Sequence, residues 1–175
     1  MKKQKGFSLI ELLIVVAIIL IIAAIAIPNL LRSKIAANES SAVGSVRTIG
    51  TAEVTYSSSW GTGYSANLTS LGGVAPCTTA TATSACLIDP LLSNTQVKSG
   101  YSFNAAGTLA DPSGTLNGFE VNATPTKVQT TGVRSFCDDQ IGVVKFLAAG
   151  TPIGVAAGNC AAIPNAPPAS GPVGN

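Results

Sequence analysis

Between Phe7 and Ile27, nineteen of twenty-one residues are apolar, counting alanine, and only Ser8 and Glu11 interrupt the run. As a helix rising 1.5 Å per residue this stretch is roughly 31 Å long, enough to cross the hydrocarbon core of a bilayer. A chain carrying it must cover that surface with lipid or with other protein. The run also accounts for the composition. Apolar residues make up 46% of the 175 residues and charged ones 10%, against a usual charged share of about a quarter. Beyond Pro28 an ordinary, rather polar chain remains, and the composition argues against a plain cytosolic enzyme.

The charges divide in the same place. Lys2, Lys3 and Lys5 precede the apolar run, whereas seven basic and seven acidic residues follow Pro28. The body is neutral and the formal +2 is N-terminal, so the charge balance gives no reason to infer nucleic-acid binding. Three lysines ahead of an apolar segment hold the N-terminus in the cytoplasm and send the rest of the chain across the membrane. Two simple readings fit this much. One is a secretory signal peptide, with Ala24-Ile25-Ala26 as an A-x-A site that would release a soluble secreted binding domain beginning at Ile27. The other is a single-pass anchor. Glu11 speaks against both, because a carboxylate in an apolar membrane helix costs about 2.5–3.5 kcal/mol and marks a functional position. No Lys, Arg or His lies between Gly6 and Arg32. The cation nearest to Glu11 would be a new α-amino group, and a cut after Gly6 would put one on Phe7, about one helical turn away. In a bundle of such helices, one subunit's carboxylate could meet its neighbour's amine, a pairing suited to setting register.

The run GFSLIELLIVVAIILIIAAIAIPNLL, Gly6 to Leu31, resembles the N-terminal signature of type IV pilins and their pseudopilin relatives, the class III signal-peptide proteins. The resemblance implies roles for four residues. Gly6 precedes the prepilin-peptidase cut, Phe7 becomes the N-methylated N-terminus, Glu11 is the assembly glutamate, and Pro28 is the helix-bending proline. It implies an α+β fold: a long N-terminal helix whose first half is anchor and filament core, and whose second half packs on a C-terminal antiparallel sheet. It also implies the partners: a homopolymer with other pilin subunits, prepilin peptidase, an inner-membrane assembly platform, and the lipid bilayer before assembly. The subunit would begin as a single-pass inner-membrane protein with a periplasmic head and end in an extracellular pilus. The function expected is therefore a structural pilus subunit, with a type II secretion pseudopilin as the alternative.

The remaining residues divide on this plan into a leader 1–6, a core helix 7–28, a head 29–162 and a flexible tail 163–175. Ile35, Ala42, Val46, Ile49, Glu53 and Tyr56 recur at helical spacing and mark one face of an amphipathic helix over 29–56. Arg32, Lys34, Asn38, Glu39, Ser45 and Thr48 fall mostly elsewhere, and Gly44 and Gly50 allow close packing. Pro28 predicts a kink. Residues 57–98 read as a loop. Alternating strands are expected from Gly100 and Gly118, with turn residues at Ala106-Gly107 and at Asp111 to Gly114. Val133 to Cys137 and Ile141 to Phe146 flank Asp138-Asp139-Gln140, which reads as a hairpin turn. The proline-rich tail reads as disordered.

Four cysteines in an exported domain indicate disulfides, and three connectivities are open. The expected set is Cys77–Cys86, a short loop clip, with Cys137–Cys160, which resembles the C-terminal disulfide loop of many pilins. Asp138 and Asp139 are weak calcium candidates, better read as a solvated turn. Asn67 and Asn122 match the glycosylation sequon, and Trp60 and Tyr64 are expected to cap the sheet core. There is no histidine, no G-x-S-x-G and no phosphate-cradling glycine loop. Catalysis, a cofactor and a metal centre are not expected.

Overall fold

The computed structural model describes residues 7–73 and 76–173. Gly6, Lys2, Lys3, Lys5 and the rest of the expected leader lie outside the described residues. The chain divides into two units at Lys34–Ile35, and one helix, α1 (Leu9–Trp60), contributes to both. In the first unit Ser8 is the last residue before the helix, and its carbonyl accepts the Leu12 N–H at 3.2 Å. The large apolar side chains from Phe7 to Leu31 are exposed, from 43% at Leu31 to 84% at Phe7, so nothing among the described residues covers them. The helix assignment is unbroken from Leu20 through Pro28. Proline has no N–H, so the Ala24 carbonyl one turn earlier has no helical donor.

In the second unit, α1 buries a stripe at three- and four-residue spacing. Ala42, Val46, Ile49, Glu53 and Tyr56 lie on it, as the periodicity predicts, and Ile35 is half-buried. Two residues assigned to the outer face, Glu39 and Ser45, are buried as well. The helix continues to Trp60, four residues past the expected end. Gly50 lets the Asp138 side chain lie close against the helix: a Cβ there would lie 2.7 Å from Asp138 Oδ2. Gly44 has open space around it, so close packing explains only one of the two glycines.

The expected loop 57–98 holds three short elements: α2 (Leu68–Leu71), α3 (Pro90–Thr95) and β1 (Val97–Lys98). They are too short to show a period, yet Leu68, Leu71, Ile88 and Leu92 enter the core. Each helix has its own start signal. Asn67 caps α2 through Ser70 N–H. Asp89 caps α3 through Leu91 N–H, with Pro90 in the first turn.

The sheet is an antiparallel meander in chain order: β1, β2 (Tyr101–Ala110), β3 (Leu116–Pro125), β4 (Ser135–Asp139), β5 (Lys145–Leu147) and β6 (Ser170–Pro172). Burial alternates along the first half of β2, whereas β3 and β4 are buried on both faces. Tyr101, Phe103, Ala105, Val121, Ala123 and Phe136 join the buried residues of α1 in one core. Three expectations are corrected here. Ala106-Gly107 is not a turn but lies within β2, paired with Glu120 and Phe119. Gly107 is there for close approach, since a Cβ would sit 2.5 Å from the Ser65 carbonyl oxygen. The real turn is at Asp111, whose Oδ1 takes Ser113 N–H and Thr115 N–H, each at 2.9 Å. Asp138 and Asp139 are not a solvated turn but buried residues of β4, and the turn follows at Gln140–Ile141. The tail is ordered as far as described: β6 pairs with β5, and Val173 N–H donates to the Val144 carbonyl at 2.8 Å.

Glu39 fastens α1 to the chain entering β4. Its Oε1 accepts Val133 N–H and Arg134 N–H at 2.9 and 3.0 Å, and its Oε2 lies 2.7 Å from the Arg134 guanidinium. That guanidinium stands over the Phe136 and Phe146 rings, 5.5 and 5.4 Å from their centroids. Truncating Glu39 leaves two backbone donors and a cation without a partner, at a cost of about 3 kcal/mol. Urea unfolding of Glu39→Ala should show that loss, and a change below about 1 kcal/mol would contradict the fastening role.

Candidate assembly site at the N-terminus

The start of α1 brings Ser8 and Glu11 together, with Phe7 preceding them in the chain. Glu11 Oε2 accepts the Ser8 backbone N–H at 3.1 Å. This is one half of a capping box, in which a glutamate three residues into the helix reaches back to the cap residue. The S-x-x-E spacing announces it, and Ser8 is the partner that the sequence reading missed. The carboxylate is thus turned toward the start of the helix, where Phe7 is fully open. A helix N-terminus favours negative charge, by about 0.3–1 kcal/mol at exposed sites. The arrangement supplies an anion at one end of an apolar rod, beside the residue whose amine a cut after Gly6 would free.

In the head, all four cysteines pair in the expected way. Cys77–Cys86 and Cys137–Cys160 have Cα separations of 5.8 and 5.7 Å. The second bond ties β4 to the segment that crosses the outer face of the sheet. Glu120 assists, a role with no signal in the sequence: its carboxylate accepts Gly158 N–H at 2.7 Å and Cys160 N–H at 3.0 Å. Burial raises the Glu120 carboxyl above its ordinary range. Asn122, one of the two sequon asparagines, is buried and donates its amide to the Ile153 carbonyl, which leaves it closed to a glycan. Asn67 is spent on the cap of α2. Trp60 stacks on Tyr56 and Tyr64 leans on Phe119, with centroids 4.9 and 5.0 Å apart, so both aromatics pack on the core.

Asp138 and Asp139 are likewise engaged. Asp138 Oδ1 accepts Asp139 N–H at 3.0 Å, and Asp139 Oδ1 accepts Ile141 N–H at 2.8 Å. The two line an open cavity of about 300 Å³ with Arg47, Thr51, Phe119 and Gln140. Among the described residues no cluster of three His, Cys, Asp or Glu has a metal-holding arrangement.

Residues 1–27 match the family model of the prokaryotic N-terminal methylation motif. The chain is also similar to the type IV wide pilus major component PilA4 of Thermus thermophilus, 62% identical over 39 residues. That match takes in 22% of this chain and 30% of the relative's length. The family model thus covers the N-terminal segment alone, and the chain spans about a third of the length of the curated relative it matches. No solved structure matches the chain.

Burial pushes the Asp138 carboxyl up to about 6, from an ordinary 3.8. The folded head therefore holds this proton more tightly than the unfolded chain. Its contribution to stability is complete below pH 4 and is lost as pH rises through about 6. Asp138→Asn should flatten that part of the fall, read as melting temperature from pH 4 to 7. An unchanged slope would contradict the assignment.

Proposed function

We propose that this chain is the structural subunit of a type IV pilus. One observation carries the reading: an apolar helix with no cover of its own, broken by one carboxylate in its first turn, within a matched N-terminal methylation motif. In this reading the precursor sits in the inner membrane through Phe7–Ile27 with its head in the periplasm. Prepilin peptidase cuts after Gly6, and the new Phe7 amine is methylated. An inner-membrane assembly platform then moves the helix from lipid into a homopolymer. There the apolar face from Leu12 to Ile27 forms the filament core, and Glu11 pairs with the Phe7 amine of a neighbouring subunit. Pro28, which removes one helical bond, is the point at which α1 can bend. The head acts by contact rather than by catalysis.

Transfer from lipid to a bundle brings little hydrophobic gain, because lipid tails are as apolar as leucine side chains. Register must then come from a polar contact, and within the run Glu11 is the one charged group. A methylated amine keeps its charge and supplies the counter-ion. The pair forms in apolar surroundings, where an unmatched carboxylate is costly.

Two substitutions separate register from capping. Glu11→Val removes both roles, whereas Glu11→Gln keeps the reach back to Ser8 N–H and removes the charge. Both variants should insert in the membrane, and both should yield few or no sheared filaments. Normal filament yield from Glu11→Gln would show that the residue serves as a helix cap. Intact-mass measurement checks processing: the mature chain should begin at a methylated Phe7, and a chain beginning at Ile27 would end the pilin reading.

A further inference from the structure

Glu53 is the most deeply enclosed carboxyl group in the head, with no exposed surface, and no cation answers it. Its two oxygens face one residue. Oε2 accepts the Ser65 backbone N–H at 2.9 Å, and Oε1 lies 2.7 Å from Ser65 Oγ. Ser65 Oγ is in turn 3.1 Å from the Asn67 carbonyl oxygen, and Ser65 is itself fully buried. Two acceptors, Glu53 Oε1 and the Asn67 carbonyl, therefore meet at one hydroxyl group that has a single proton to give.

The arrangement is complete only when Glu53 carries a proton. A protonated Glu53 donates to Ser65 Oγ, which frees the Ser65 hydroxyl to donate to Asn67 O. Meanwhile Oε2 still accepts Ser65 N–H. An ionised Glu53 takes the hydroxyl proton for itself, and the Asn67 carbonyl loses that partner while an uncompensated charge is buried. Asn67 is the residue that matters downstream. It caps α2 through Ser70 N–H and bridges to Ala106 of β2.

We propose that Glu53, Ser65 and Asn67 form a proton-loaded latch that holds the segment from Gly61 to Leu71 against α1, and that ionisation of Glu53 loosens this segment. The desolvated carboxyl is pushed up to about 7, by burial first and against the two Ser65 bonds. The other groups on the packed elements do not set it. Arg47 and Tyr56 lie on α1, Tyr64 in the segment itself, Tyr101 on β2 and Asp138 on β4, and Glu120 is on the opposite face of β3. None acts on Glu53 by charge. Tyr56 is committed to the Ala82 carbonyl at 2.7 Å. Acid therefore tightens the latch and alkali opens it. The segment runs between the end of α1 and the Cys77–Cys86 clip, so the device makes one region of the head surface responsive to pH near neutrality.

Hydrogen–deuterium exchange of the full chain in detergent micelles, followed over residues 61–71 from pH 5 to 9, tests the latch. After correction for the intrinsic base-catalysed rate, exchange should quicken at least about tenfold across that range. Glu53→Gln reproduces the protonated geometry, accepting Ser65 N–H and donating to Ser65 Oγ, so it should stay protected at every pH. A wild-type segment with no pH step would overturn the proposal, as would the same step in Glu53→Gln. Failure of Glu53→Gln to fold would do so too, because the charge would then be essential. Carboxyl carbon NMR gives an independent reading: a Glu53 midpoint in the ordinary range near 4.5 would contradict the latch.

Discussion

The structure depends on how an apolar helix is covered. From Phe7 to Leu31 the large side chains of α1 are open, and each is worth about 1.5–3 kcal/mol when removed from water. That surface cannot stay bare, and nothing else in the described chain covers it. In the proposed assembly, lipid covers it first and identical helices afterward, and the two cover it about equally well. A polar contact would then decide where one helix stops against the next, and the proposal gives that role to Glu11, which accepts Ser8 N–H at the open end of the helix.

The same helix is treated in the opposite way from Ile35 onward. There it presents Ala42, Val46, Ile49 and Tyr56 to a six-stranded meander, and the apolar stripe is satisfied within the chain. What distinguishes the head is its use of acids. Glu39, Glu53, Glu120, Asp138 and Asp139 are all buried, and each receives at least one backbone N–H. Four of them fasten irregular segments to regular ones: Glu39 holds 133–134 to α1, Glu53 holds 65 to α1, Glu120 holds 158–160 to β3, and Asp139 holds the turn at 140–141 to β4. Of the five, only Glu39 forms an ion pair among the described residues. Burial raises the carboxyl groups of Glu53, Glu120 and Asp138, the last against the opposing charge of Arg47, so these groups hold protons more tightly in the folded head. A head of this kind gains stability toward mild acid, since its folded carboxyl groups keep protons that the unfolded chain has already lost.

Much of this was legible in the residues. The apolar run marks the exposed first part of α1. The helical period of Ala42 to Tyr56 and the alternation around Phe103 and Val121 located the core. Both disulfides matched the expected pairing. The failures have physical reasons. Ala106-Gly107 looks like a turn by local chemistry, but glycine is needed there because Ser65 passes close to the strand. Asp138-Asp139 looks like a solvated turn because acids are usually exposed, whereas here backbone N–H groups receive them. Glu39 looks like an outer-face residue because its partners, Val133 and Arg134, are distant in sequence. The proline-rich tail looks disordered because composition does not reveal that Ser170–Pro172 pairs with β5.

The central claim is that the exposed helix of one subunit is covered by the helices of others, with Glu11 setting their register. Cryo-electron microscopy of filaments sheared from cells making this chain tests it most directly. The account predicts Phe7–Ile27 at the filament axis, with each Glu11 carboxylate within ion-pair distance of a neighbour's Phe7 amine. A filament whose core is another chain, or one in which Glu11 touches only its own Ser8, would contradict it.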